Sequence, residues 1–274
     1  MGRAAVAPAR QAKTFKISTL NINNVNRRLP NLLSWLAVAK PNLVCLQELK
    51  CTQTTFPAAA LSAAGYSAVW QGQSTWNGVA ILSRNRTPIL TRSQLPGDPR
   101  DTQARYIEAA VDGILVASLY LPNGNPQPGP KFEYKLDWFR RLNAHARALL
   151  RTGAPVVLAG DFNVAPTEID IYPTRSWDHD ALIQPQSRAA YSRLLDQGWT
   201  DAVRAVSGGE RVYTFWHYMR KRWERNAGLR LDHILLSPQL APQLMKAGVD
   251  AQVRGEPGAS DHAPVWAVIS RGGL

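Results

Sequence analysis

Short apolar runs rich in β-branched and aromatic residues recur from one end of this 274-residue chain to the other, and they limit its fold more than any other feature. They include residues 15–22, 43–46, 66–70, 78–82, 106–111, 114–121, 156–159, 231–236 and 264–269. Between some of them lie segments with a 3.6-residue apolar period, at 29–39, 57–64, 132–150 and 189–197. The alternation is irregular. Runs 106–111 and 114–121 are separated only by Asp112-Gly113, a pair that favours a type I′ hairpin. Adjacent strands of this kind argue against a simple doubly wound sheet. The pattern predicts a four-layer α/β sandwich, with two mixed β-sheets packed together and helices outside. No fixed-period repeat or long linker divides the chain, so residues 14–270 are expected to form a single domain behind a disordered basic leader at 1–13.

Polar side chains able to bind a cation or move a proton sit at the ends of these runs. Asn21 and Asn23 close the first, Glu48 follows 43–47, Tyr120 ends 114–119, and Asp161 and Asn163 close 156–160. Asp232 opens or interrupts 231–236, and Asp261-His262 precede the last run. Any one of them reads as an ordinary turn residue. Six such ends in one chain predict a site at one edge of the sandwich.

The residue types narrow the chemistry. Carboxylates and amides without clustered His or Cys suit a hard cation, Mg²⁺ or Mn²⁺, better than zinc. No Walker loop supports nucleoside triphosphate hydrolysis, and no Ser elbow supports acyl transfer. An Asp-His pair, a second Asp, an Asp-x-Asn and a Tyr are a workable kit for hydrolysing a phosphodiester.

Charge points to the partner. Lys and Arg number 32 against 20 Asp and Glu, a net charge of +12. Such a chain repels itself and suits a polyanion, whether nucleic acid or an anionic membrane surface, although charge of this kind also aids solubility. Composition alone does not separate DNA from RNA or lipid. No stretch of about 18 uninterrupted apolar residues predicts a membrane span. Cys45 and Cys51 fit a reduced intracellular protein rather than a disulfide scaffold or a zinc site.

The motifs then become specific. Thr19-Leu-Asn-Ile-Asn, Leu46-Gln-Glu-Leu-Lys, Leu119-Tyr-Leu-Pro-Asn-Gly, Gly160-Asp-Phe-Asn-Val-Ala-Pro-Thr-Glu-Ile-Asp, Leu229-Arg-Leu-Asp-His and Ser260-Asp-His-Ala-Pro-Val-Trp occur in this order. Together they resemble the motif set of the exonuclease III family of abasic-site endonucleases, within the endonuclease/exonuclease/phosphatase superfamily. The resemblance implies a DNA repair nuclease, Mg²⁺-dependent with Mn²⁺ as an alternative. It would hydrolyse the phosphodiester 5′ to an abasic site, with 3′-phosphodiesterase and 3′→5′ exonuclease action at the same centre. Its partner would be double-stranded DNA with abasic sites or 3′ ends, met as a monomer in the cytoplasm at the nucleoid, with no membrane involved.

It also implies roles. Glu48 would be the main metal carboxylate, with Asn21, Asn23 and Asp261 as further ligands. Asp161 would align or deprotonate water, Asn163 would hold the phosphate, and His262, oriented by Asp232, would stabilise its charge. Tyr120 and Asn123 would contact the phosphate or assist the leaving oxygen. Phe215, Trp216 and Leu229 match positions around a base-free sugar, where a small apolar pocket admits a flipped deoxyribose and refuses a nucleotide. Lys50, Arg84, Arg105, Arg230 and the 220–225 run around Trp223 are candidate phosphate contacts. Trp76 falls in a segment expected to face DNA.

Two departures stand out. Asn24 and Asn26 replace a Gly and an Arg common in the family, so Arg27 or Arg28 would have to supply that cation. Leu229 replaces an aromatic found in some members. The balance of endonuclease and exonuclease action therefore stays open. So do two rival readings, an RNA-directed phosphodiesterase and an inactive DNA-binding module.

Overall fold

The computed structural model describes residues 14–271, so the expected leader at 1–13 lies outside the described part. In chain order the strands are β1 (Thr14–Asn21), β2 (Leu43–Gln47), β3 (Tyr66–Gln71), β4 (Val79–Arg84), β5 (Ile89–Arg92) and β6 (Tyr106–Val111), followed by β7 (Ile114–Tyr120), β8 (Val156–Asp161), β9 (Thr200–Asp201), β10 (Asp232–Leu236), β11 (Leu244–Val249) and β12 (Val265–Ser270). The helices are α1 (Leu29–Ala39), α2 (Ala58–Ala63), α3 (Pro130–Arg151), α4 (Pro185–Leu195) and α5 (Ala202–Ser207).

The strands form two six-stranded sheets, ordered β11-β12-β1-β2-β4-β3 and β5-β6-β7-β8-β10-β9. Each sheet contains one central parallel pair, β1 with β2 and β7 with β8, flanked by antiparallel neighbours. Taken from opposite edges, the two sheets carry the same succession of strand directions.

Side-chain alternation builds the layers. Leu43 and Cys45 of β2 enter the seam between the sheets beside Ile81, Val116, Val157, Ala159 and Ile234. Val44 and Leu46, one residue out of phase, pack outward against Leu32, Trp35 and Leu36 of α1. On the far side, Leu158 and Leu235 meet Trp138, Phe139 and Leu142 of α3 and Leu194 of α4. Central strands are thus apolar on both faces, which is why they read as unbroken runs. The result is the expected sandwich of two mixed sheets between helical layers.

Local signals set the boundaries. Pro30 sits in the first turn of α1, where its missing N–H is harmless, and left-handed Lys40 ends the helix before Pro41. Gly129 and Pro130 open α3 in the same way. Asp112 and Gly113 join β6 to β7 with φ of 49° and 79°, the pair of positive values a type I′ turn requires. Strands β5, β9 and β11 were not expected. They sit at or near sheet edges, where pairing on one side demands little apolar content: β5 is exposed throughout and β9 has two residues.

Candidate active site

Both parallel pairs end at the same edge of the sandwich, and the antiparallel neighbours begin there. Asp232 opens β10 in register with Asp161 at the end of β8, and β12 begins beside the end of β1. The chain leaves these strands sharply. Asn23, Glu48, Lys50 and Asn163 all have φ between 47° and 51°. Left-handed non-glycine residues cost about 1–3 kcal/mol each and persist where their surroundings hold them. Here the bends gather the polar side chains at this edge, where Glu48 is met by Tyr120 of the opposite sheet.

Asn21, fully buried, links the two sheets: its amide donates to Glu48 Oε1 at 2.9 Å and to Asp161 Oδ2 at 3.0 Å. The Tyr120 hydroxyl donates to the same Glu48 oxygen at 2.7 Å. Burial and the Glu48 charge hold the Tyr120 phenol well above its ordinary pKa, so it keeps its proton. The Lys50 ammonium bridges Glu48 Oε2 at 2.8 Å and Asn23 Oδ1 at 2.7 Å, and Asn23 in turn donates to Asp261 at 2.9 Å. The Lys50 ammonium thus stands between oxygens of Glu48 and Asn23, with Asp261 one contact away through Asn23, while the Asn21 oxygen accepts from the Asn23 backbone. An all-oxygen, carboxylate-and-amide donor set of this kind fits a hard divalent cation.

Beside it lies a buried trio. His262 Nδ1 meets Asp232 Oδ2 at 2.8 Å, and its Nε2 lies 3.9 Å from Asp161 Oδ2. Carboxylate and imidazole atoms of these three residues are close enough to hold a metal ion. Proton affinity argues for a different use. Burial alone would lower the His262 pKa, but the charge and hydrogen bond of Asp232, with Asp161 and Asp261, overcome it and hold the imidazole at about 10. Burial, opposed by His262 and reinforced by Asp232, raises Asp161 to about 7. An imidazolium beside a carboxylate of near-neutral pKa can donate to an anion while its neighbour accepts a proton.

Asn163 completes this end. Its backbone N–H donates to Asp161 Oδ1 at 2.8 Å, and its amide reaches the Leu121 carbonyl at 2.7 Å. Exposed Asn123 approaches Asn163 Oδ1 at 3.3 Å. A cavity of about 460 Å³ opens next to Tyr120 and Asn123, walled by Trp76, Arg105, Lys131 and Tyr134. The Arg105 guanidinium lies over the Tyr120 ring at 4.7 Å, and Lys50 lies over Trp76 at 5.1 Å. Trp76, 69% exposed, is available to a ligand.

Other expected substrate contacts divide. Half-buried Phe215 packs on the His262 ring at 4.9 Å. Leu229 is fully buried in an apolar cluster with Ile171, Trp177, Leu182 and Leu231. Trp216 is not a contact residue. It is buried, donates to Asn226 and packs edge-on against Trp223, so it supports the 216–226 loop from within. Half-buried Trp223 keeps part of its surface free. Arg230 is a second correction: at 1% exposure it is locked between Asp170 and Asp201 and cannot reach a phosphate. Nor does Arg28 replace the missing family arginine. It is buried, donating to the Asn23 carbonyl and to the Tyr218 hydroxyl.

Sequence reasoning missed three supporting residues. Thr214 donates to Asp232 Oδ2 at 2.6 Å and accepts from the Leu231 and Asp232 backbones, fixing the carboxylate that holds His262. Ser260 ties the His262 loop to the Asn21 carbonyl at 2.6 Å. Lys135 is a fully buried cation on α3. Only Lys135 left a usable trace, a lysine three residues after Phe132 and three before Trp138, on the apolar face.

The chain is similar to known proteins over most of its length. A model of the Endonuclease/Exonuclease/phosphatase family matches residues 18–262. Exodeoxyribonuclease III of Haemophilus influenzae is 30% identical over 265 residues, covering 92% of this chain and 99% of the relative. A 3′ phosphatase from Neisseria, solved with a product DNA hairpin, superposes with a TM-score of 0.89 at 41% identity, covering 92% of this chain and 98% of that one. An AP endonuclease from Archaeoglobus fulgidus superposes with a TM-score of 0.88 at 34% identity, covering 93% and 99%.

Proposed function

The chain belongs to the endonuclease/exonuclease/phosphatase family, and we propose that it is a Mg²⁺-dependent DNA repair nuclease which hydrolyses the phosphodiester 5′ to an abasic site. The same centre serves as 3′-phosphodiesterase and 3′→5′ exonuclease on duplex DNA. We assign the work to one domain over residues 14–270, acting as a monomer in the cytoplasm at the nucleoid. No helix among the described residues is long and apolar enough to cross a membrane. One observation carries the reading: a proton-accepting carboxylate, a protonated imidazole and a cluster of cation-binding oxygens meet at one seam, drawn from both sheets.

Asp161 accepts a proton from water as its oxygen attacks phosphorus. The bond from phosphorus to the 3′ oxygen breaks, and that oxygen takes up a proton to leave as a 3′-hydroxyl. Tyr120, which keeps its phenolic proton, is placed to supply it. His262, held by Asp232, donates to a non-bridging oxygen where negative charge grows. Exposed Asn123 is placed to meet the phosphate, and buried Asn163, whose backbone N–H donates to Asp161, holds that carboxylate beside it. Glu48, with Asn21, Asn23 and Asp261, would hold Mg²⁺ or Mn²⁺, which would supply positive charge against the growing negative charge on the phosphate. Phe215 borders the space for a base-free sugar, backed by the buried Leu229 cluster behind it, while Lys50 and Trp223 track the strand.

Similar solved structures include both a Neisseria 3′ phosphatase and an archaeal AP endonuclease, so abasic-site and 3′-end substrates are tested side by side. One assay tests both. Labelled duplexes carrying an abasic analogue, a 3′-phosphate or neither are incubated with Mg²⁺ or EDTA, with Asp161→Asn beside the wild type. Metal-dependent cleavage at the abasic site, lost in the variant, is expected. An intact abasic duplex with a trimmed 3′ end would confine the enzyme to 3′ ends, and turnover of RNA alone would redirect the reading to an RNase.

A further inference from the structure

Lys135 lies near the start of α3, on the face that carries Phe132, Trp138, Phe139 and Leu142 into the core, and none of its surface is exposed. A buried ammonium is expensive unless its donors are met. Its Nζ donates to the carbonyl of Asn123 at 3.0 Å and also to the carbonyl of Asn163. These residues stand on separate segments, one after β7 and one after β8. Left-handed Asn163 turns its carbonyl off the β ladder and into the interior, where an unmet acceptor would be costly. The Asn123 loop is pressed onto the lysine stem: a Cβ at Gly124, whose φ is +91°, would stand 2.6 Å from Lys135 Cδ.

We propose that Lys135 is a positioning residue for phosphodiester cleavage, its ammonium clasping the Asn123 and Asn163 carbonyls so that the hydrogen-bonded Asn123–Asn163 side-chain pair is fixed beside Asp161. Burial lowers the amine to about 7, a fall that the charges of Asp161 and Asp180 oppose. Lys135 itself stays behind the two asparagines, away from substrate. The inference rests on the nuclease reading above.

A double-mutant cycle on turnover tests it. Lys135→Met and Lys135→Gln are each placed in the wild type and in the Asn123→Ala/Asn163→Ala chain. Single-turnover rates, kcat and KM are measured on abasic and 3′-phosphate duplexes, with melting curves and duplex affinity in EDTA alongside. In the wild-type background Lys135→Met should lower kcat about ten- to hundredfold, with KM and affinity within about threefold. With both amides already removed, the same change should cost less than about twofold. Lys135→Gln, which keeps two N–H donors on a shorter stem, should recover part of the loss. Equal losses in both backgrounds, a loss matched by the missing folded fraction, or failure of both variants to fold would make Lys135 purely structural and overturn the proposal. A folded wild type inactive on every duplex sinks the nuclease reading, and this inference with it.

Discussion

Asp161 and His262 face each other with opposite requirements for a proton. In the proposed mechanism Asp161 acts as a carboxylate, so activity should fall as pH drops through about 7. There His262 acts as an imidazolium, so activity should fall again as pH rises through about 10. A bell-shaped kcat/KM profile with those limbs is expected, and His262→Asn should erase the alkaline one. A flat profile through neutrality would remove Asp161 from the role of proton acceptor. Asp161→Asn should lower turnover at least about a hundredfold while duplex binding in EDTA persists, read by gel shift. These residues were legible because each ends an apolar run and belongs to an ordered motif. Thr214 and Lys135 act one contact further back, through hydrogen bonds that only the folded chain brings together.

At the scale of elements, the central strands could be read directly, since strands apolar on both faces give unbroken runs. The edge strands could not, because one-sided pairing asks little of composition. The local string Leu229-Arg-Leu suggested a surface cation at Arg230. Its partners Asp170 and Asp201 lie 60 and 29 residues away, a separation that leaves no local trace. Burial opposes the Arg230 charge, but the two carboxylates hold its pKa above the ordinary value, and they in turn are held below theirs. Arg230→Met should therefore destabilise the fold by about 3–5 kcal/mol in urea denaturation, leaving DNA affinity of the folded protein unchanged. The depressed carboxylates add stability above the usual carboxylate range that is lost as pH falls through their folded values. The variant should accordingly begin acid unfolding at higher pH. Gly160→Ala is a harsher test of strand pairing. Its Cβ would stand 1.9 Å from the Leu119 carbonyl oxygen, so β8 could not lie beside β7, and no folded protein is expected by circular dichroism.

For the whole molecule, an excess of 12 positive charges makes affinity for duplex a matter of counterion release. Log Kd should rise linearly with log salt, each phosphate contact contributing a slope of about 0.9, and fluorescence anisotropy across a salt series measures it. A salt-independent affinity would mean that the basic surface is not the binding face. The order of strands has a consequence in time. Asp261 and His262 lead into β12, which inserts between β11 and β1, beside the first described strand. They are the last residues of the cluster to leave the ribosome, and neither sheet alone carries a complete set of reactive groups. A half-made chain is therefore inert, and competence arrives with closure of the sheet. The architecture gives the enzyme an interlock during its own synthesis, since the site is complete only once β12 has joined β1.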